Sequence, residues 1–218
     1  TSTPLTMAME AEGIKIHYKP DITAIPANAD IIVYTPAIPA DFEEWEYIKH
    51  LNIPIIKRSA LLAQIINNLN SIAIAGTHGK TTTSAMIAHC FENIGMPFLG
   101  FVGGVLSKYN KNIFIHKNAE WAVAEADEYD RSFLALFPKI SIVNAIDADH
   151  LDIYGRIEEM HNAFSEFMAQ TSKDGTVLLF DEIDKTKLNI TNNTVFYGFS
   201  NKKGYSARNI EINSGQFV

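Results

Sequence analysis

Residues 72–83 read IAIAGTHGKTTT, an apolar run that breaks into GTHG, a lysine and three further threonines. That juncture constrains the fold more than any other feature. A buried strand must end at Gly76, and a helix must begin near Lys80. Gly76 and Gly79 permit backbone angles and close approach that a side chain forbids. Loop amides and the helix N-terminus can then face phosphate oxygens. The usual phosphate-loop spacing is G-x-x-x-x-G-K-[ST]. Here Ile74 stands five residues before Gly79, so only the shorter G-x-x-G-K-T is present. A tight strand-to-helix turn is the plainer alternative, but such a turn has no need of G-K-T-T-T.

Around this juncture strands and helices alternate. Upstream, Thr3-Pro4 caps a helix that stops near Gly13. GIKIHY (13–18) alternates like a strand, and DIIVYTPAIP (30–39) reads as a buried strand. Phe42, Trp45, Ile48 and Leu51 fall at helical spacing. PIIK is a short strand, and SALLAQIINNL a helix. The polar stretch Asn67–Asn70 marks a boundary. Downstream, SIAIAG, PFLGFVGG, WAVAEAD, KISIVNAI, TVLLFD, TVFYGFS and SARNIEI read as strands. Helices are expected over Lys80–Asn93, closed by Gly95, and over 156–169. NSGQ (213–216) is a turn, and QFV starts a further strand. The alternation predicts an α/β protein with a mostly parallel sheet. The domains are expected at 1–70 and 71–218. The first unit opens on a helix, where a doubly wound domain opens on a strand and Gly-rich turn. The expectation is therefore a domain truncated at its front, and a second one incomplete at its end.

Three strand ends in the second unit carry polar residues: GTHGKTT, EADEYD and DADHLD. Ligands of open parallel sheets bind beyond the carboxyl ends of strands, so the three should share one site. Lys80 would reach the outer phosphates and Thr81 would place a hydroxyl on Mg²⁺. Glu125, Asp127, Glu128 and Asp130 repel one another unless cations or solvent intervene. Mg²⁺ takes few protein oxygens beside substrate phosphates, so one of these carboxylates is a natural ligand. A solvated charge run is the alternative. Of the seven histidines, His17, His50, His89, His116 and His161 read as structural. His150 differs because a buried strand delivers it between Asp149 and Asp152. His78 lies inside the phosphate loop.

The bulk numbers exclude other classes. The formal net charge of -7, without a long Lys/Arg run, offers no nucleic-acid or lipid surface. Cys90 is the single cysteine. It excludes an intramolecular disulfide and fits a reducing compartment. Its place beside Ile87 and Phe91 reads as a buried, inert thiol. No apolar stretch approaches the ~20 residues that span a bilayer, and no signal peptide opens the chain. A cytoplasmic location is the expectation. The oligomeric state is not readable.

GTHGKTTT, EADEYDRSFL and DADHLDIYG, in this order, resemble the ATP-dependent Mur ligases of peptidoglycan synthesis. TPLTMAMEAEGIKIHY and TPAIP extend the likeness through the first unit. The family's shortened G-T-x-G-K-T loop accounts for the missing glycine. The resemblance implies three domains: a Rossmann-like N-terminal domain for the UDP-sugar, here partial; a central ATP domain; and a C-terminal domain, absent here, that brings the amino acid. It implies ATP and Mg²⁺, with Gly76, Thr77, His78, Gly79, Lys80, Thr81 and Thr82 on the triphosphate. Lys80 would neutralise the β- and γ-phosphates. Thr81, Glu125 and His150 would hold metal, and Asp127 and Glu128 would lie near the sugar substrate.

Within the family, the likeness favours the branch that adds L-alanine to UDP-N-acetylmuramate through an acyl phosphate. Sibling ligases carry a carbamoylated lysine where Phe164 stands, so that modification is not expected. Many relatives have Asn five residues before the motif histidine; here Ala145 stands there and Asn144 is shifted by one. EADEYD also occurs in the ligase that recycles murein tripeptide, the runner-up. A P-loop NTPase switch, or a nucleotide-binding module without catalysis, is the reading from another class, but DADHLD has no place in a switch. Residues 1–218 alone are expected to be inactive.

Overall fold

The computed structural model describes residues 2–39, 41–149, 151–191, 193–199, 204–208, 210, 212–213 and 216–217. The chain divides into two compact units, Thr1–Leu61 and Leu62–Val218.

In the first unit, helix α1 (Pro4–Ala11) begins at Thr3, whose side chain accepts from the Thr6 amide in a reciprocal capping box, with Pro4 in the first turn. That arrangement satisfies two of the orphan donors of a helix start. Strand β1 (Ile32–Tyr34) is followed by α2 (Glu43–His50), β2 (Ile55–Lys57) and α3 (Arg58–Ile66), which runs into the second unit. β1 and β2 pair in parallel. Trp45 of α2 lies against Tyr34 of β1, ring centroids 4.8 Å apart, as the helical spacing of Phe42, Trp45 and Ile48 requires. Two expectations are corrected here. GIKIHY forms no strand: its residues are mostly exposed and unpaired among the described strands. Alternation alone does not make a strand without a neighbour to complete its hydrogen bonds. β1 is half-buried, with Val33 40% exposed.

The second unit contains β3 (Asn70–Ala75), α4 (Lys80–Ile94), β4 (Phe98–Leu106), β5 (Lys111–Ile115), β6 (Trp121–Glu125), β7 (Ile140–Val143), α5 (Leu151–Tyr154), α6 (Ile157–Ala169), β8 (Thr176–Phe180), β9 (Thr194–Gly198), β10 (Tyr205–Ser206), β11 (Ile212–Asn213) and β12 (Gln216–Phe217). Its main sheet has eight strands in the order β10-β9-β8-β7-β3-β6-β4-β5. All neighbours are parallel except β4 and β5. β3 lies between β7 and β6, with Ile72, Ala73, Ile74 and Ala75 buried. A central parallel strand is covered on both faces, hence its unbroken apolar run. One face packs on Phe133, Phe164, Phe167 and Met168. The other packs on Ala88, Phe98, Val102 and Phe114. Gly95, φ 67°, ends α4 in the left-handed region, the usual glycine C-terminus.

β4 does not stop at its glycine pair but runs to Leu106 and turns back as β5, an antiparallel edge strand not anticipated from the sequence. Cys90 is exposed: it lies two residues past buried Ala88, about 200° further round the helix. SARNIEI is not one strand, since Ser206 belongs to β10 and Ile212 to β11. Asn209 and Glu211 lie outside the described residues, as do Ser214 and Gly215 of the expected turn and Val218 of QFV. β12 pairs antiparallel with β11.

Candidate functional site

The site forms where β3, β6, β7 and β4 meet the start of α4. Gly76 has φ 134° and Gly79 φ 81°. A Cβ on Gly76 would lie 2.9 Å from the Ala145 amide nitrogen, and one on Gly79 2.9 Å from Asn144 Nδ2. Both glycines are therefore required by angle and by space. The loop is tied down beneath by β7's extension. The Asn144 amide donates to the Ala75 carbonyl and the Thr77 amide to the Ala145 carbonyl, at 3.1 and 3.0 Å. Asn144 Nδ2 donates to Thr83 Oγ1 at 3.1 Å, and Tyr197 donates to Asn144 Oδ1 at 2.7 Å. The Asn144 side-chain amide thus lies under the loop. The first-turn amides of α4 have no intrahelical acceptor, which is what an anion site needs.

Lys80 Nζ donates to the Gly76 carbonyl at 2.6 Å and to Glu128 Oε1 and Oε2 at 2.8 and 2.9 Å. These contacts engage the three donors of an ammonium. Glu128 is fully buried, and the Lys80 side chain keeps 18% of its exposure. Behind them Tyr154 donates to the Glu128 carbonyl at 2.6 Å. Burial, reinforced by the Glu128 carboxylate, pushes the Tyr154 hydroxyl up to about 12. Arg131 lies over the Tyr154 ring at 5.1 Å.

A second cluster surrounds Glu125 at the end of β6. Thr81 Oγ1 donates to Glu125 Oε2 at 3.1 Å. Ser84 Oγ and the Gly103 amide donate to Oε1 at 3.0 and 2.5 Å. A hydroxyl and a carboxylate side by side form the oxygen-rich donor set that Mg²⁺ takes, with phosphates and waters completing it. Among the described residues no group of three or more His, Cys, Asp and Glu side chains could hold a metal by itself. Thr77 Oγ1 donates to Asp147 Oδ2 at 3.2 Å, and His78 Nε2 lies 3.5 Å from the same oxygen. Beside Thr81 and Thr82 an open hollow of about 420 Å³ extends toward Met86, His89 and Val105.

The structure therefore brings together Gly76, Thr77, His78, Gly79, Lys80, Thr81, Thr82, Glu125 and Glu128. Glu128 stands against Lys80. Asp127 is exposed, and its Oδ1 accepts the Tyr129 amide at 3.1 Å. His150 lies outside the described residues. Phe164 is fully buried in the core. Sequence reasoning missed Ser84, Gly103 and Asp147. Their signal is tertiary: Gly103 was legible only as part of a strand-end glycine pair, and Ser84 only as a fourth hydroxyl after the lysine.

Residues 74–218 match the Mur ligase middle domain. Residues 1–69 match the model described as Mur ligase family, catalytic domain. A UDP-N-acetylmuramate–L-alanine ligase from Cytophaga hutchinsonii is 39% identical over 99% of this chain and 48% of its own length. The enzyme of that name from Christiangramia forsetii is 38% identical over 100% and 48%. The solved UDP-N-acetylmuramate–alanine ligase of Thermotoga maritima superposes with a TM-score of 0.77 at 27% identity, over 94% of this chain and 46% of that one. A UDP-N-acetylmuramate:L-alanyl-γ-D-glutamyl-meso-diaminopimelate ligase from Neisseria meningitides gives 0.81 at 22% identity, over 94% and 72%. That second likeness bears on the fold alone. The chain spans about half the length of the curated relatives it matches. Family matches that run from residue 1 to 218 with a short break at 70–73, on a sheet built around the shortened loop, place the chain in the Mur ligase family.

Proposed function

We propose that the protein is an ATP-dependent ligase that joins L-alanine to UDP-N-acetylmuramate in cytoplasmic peptidoglycan synthesis. Residues 1–70 are assigned to the UDP-sugar domain and residues 71–218 to the ATP domain. The observation that carries the reading is the convergence of Lys80 and the Thr81–Glu125 pair on one phosphate loop. The names and identities of the alanine-adding relatives support the choice of substrates.

A carboxylate and an amine do not condense at neutral pH without activation. The lactoyl carboxylate takes the γ-phosphoryl group of ATP, leaving ADP. The neutral alanine amine then attacks the acyl carbon, and as the amide forms phosphate departs as hydrogen phosphate with the proton the nitrogen loses. In the first step two anions must meet, so charge neutralisation and positioning are the protein's main work. Lys80 supplies the cation at the outer phosphates, exchanging its Gly76 or Glu128 contacts for phosphoryl oxygens. Loop and first-turn amides hold the phosphate chain. Mg²⁺ would be held by Thr81 and Glu125, with His150 assigned to a second ion, and would neutralise charge on the phosphates. Thr77, His78, Gly79 and Thr82 complete the loop, and Asp127 is assigned to the sugar-substrate side.

The test is phosphate release by the full-length protein with UDP-N-acetylmuramate and a panel of amines: L-alanine, L-serine, glycine and the murein tripeptide. Release with L-alanine is expected. Release with the tripeptide alone would favour the recycling ligase, which Tyr129 in EADEYD also fits. Release independent of any amine would sink the ligase reading.

A further inference from the structure

Glu125 is held from two directions by groups that touch neither phosphate loop glycine. Ser84, one turn along α4 from Lys80, is fully buried. Its hydroxyl has two acceptors in reach, Glu125 Oε1 and the Thr81 carbonyl, each at 3.0 Å. The carboxylate oxygen is the stronger acceptor. From the opposite side the Gly103 amide donates to the same Oε1 at 2.5 Å. Gly103 lies in β4, two strands from the loop, in the stretch between Phe101 and Leu106 where pairing with β5 is irregular. That irregularity frees its amide from the ladder. A side chain at position 103 would push the Glu125 carboxylate aside. A Cβ there would lie 2.8 and 2.9 Å from the Glu125 oxygens and 3.0 Å from Thr81 Oγ1.

We propose that Ser84 and the Gly103 amide are positioning groups that fix the rotation of the Glu125 carboxylate. They hold Oε1 and leave Oε2, beside Thr81 Oγ1, as the oxygen offered to a divalent cation. The proposal rests on the Mg²⁺–nucleotide reading of the site. Free rotation would let either oxygen, or neither, meet the ion. Donors that orient a ligating carboxylate set the affinity of the site, and their loss costs about 10–100-fold in metal affinity.

The experiment measures ADP binding to the full chain by calorimetry, with and without Mg²⁺, in wild type, Ser84→Ala, Ser84→Thr and Gly103→Ala. Melting temperatures are recorded in parallel. Wild type is expected to bind ADP more tightly when Mg²⁺ is present. Ser84→Ala and Gly103→Ala should raise the Mg²⁺ concentration needed for that enhancement by about tenfold or more, with metal-free ADP affinity unchanged in Ser84→Ala. Ser84→Thr, which keeps the hydroxyl, should retain the wild-type Mg²⁺ response. A role confined to packing would lower the melting temperature and leave the Mg²⁺ response in place. Should Ser84→Ala fail to fold, Gly103→Ala tests the same carboxylate from another element. Wild-type Mg²⁺ responses in both Ser84→Ala and Gly103→Ala would overturn the proposal while leaving the site reading intact. A wild type whose ADP binding ignores Mg²⁺ would overturn both.

Discussion

The pair Lys80–Glu128 is asymmetric, and that asymmetry makes a prediction. Glu128 has no exposed side-chain surface, whereas Lys80 keeps some and also has the Gly76 carbonyl. Lys80→Met removes the ammonium that donates to both carboxylate oxygens of buried Glu128. Breaking a buried pair in this way costs about 3–5 kcal/mol. Glu128→Gln leaves an ammonium that can still hydrate, so it should cost less. The double variant should recover most of the stability lost by Lys80→Met. Urea denaturation of the three variants checks the order; equal single-variant losses would refute it. In turnover, Lys80→Met should lose on the order of 10²-fold or more, as removal of a charge-stabilising group does. Tyr154 adds a pH signature. Its proton is held more tightly in the folded chain, with a value of about 12 against an ordinary 10. The stabilisation is therefore complete below pH 10 and is lost as pH rises toward 12. Tyr154→Phe should cost about 0.5–1.5 kcal/mol at pH 7 for the lost hydrogen bond. That deficit should shrink in melts recorded above pH 10, because the variant has nothing there to ionise.

At the scale of elements, α6 shows what periodicity can reveal. Met160, Phe164 and Phe167 are fully buried, at the spacing that marks one face of a helix. Phe164 meets Phe133 edge-on at 5.3 Å, and Phe167 stacks on Phe133 at 5.1 Å. Phe164→Ala should therefore cost about 3–5 kcal/mol, read as a lower urea midpoint at unchanged slope. This helix, β3 and α4 were legible because each carries its signal locally: a periodic stripe, an unbroken apolar run, or glycines at both helix ends. β5 was not. KNIFI is short and contains an inward Phe114 between exposed Ile113 and Ile115, a pattern too brief to separate from a loop. GIKIHY shows the reverse error, alternation with no pairing partner. The site divides in the same way. Lys80, Thr81 and Glu125 stand at strand and helix ends and could be read from the sequence. Ser84, Gly103 and Asn144 act through contacts 41, 22 and 61 residues away in the chain, and no local pattern encodes such distances.

On the scale of the whole molecule, the hydrogen bonds of Lys80, Thr81, Ser84 and Gly103 to Glu125 and Glu128 lie within the unit Leu62–Val218. The groups that would hold a phosphate chain and its cation are thus assembled by one sheet and one helix. The curated relatives are about twice as long, and the proposed function assigns no residue of this stretch to the amine. Binding and turnover should therefore separate. Residues 1–218 alone should bind Mg²⁺–ADP, and saturation at about 100 times Kd should stabilise the fold by about 2.7 kcal/mol, seen as a rise in melting temperature that grows with ligand concentration. The same residues, given UDP-N-acetylmuramate, ATP and L-alanine, should release no L-alanine-dependent phosphate. Ligand-induced stabilisation without turnover would locate nucleotide binding in this sheet and amide formation in a larger assembly. Turnover at the rate of the full-length protein would mean that the alanine site is already contained in these residues. The hollow beside Thr81 and His89 would then be the first place to seek it.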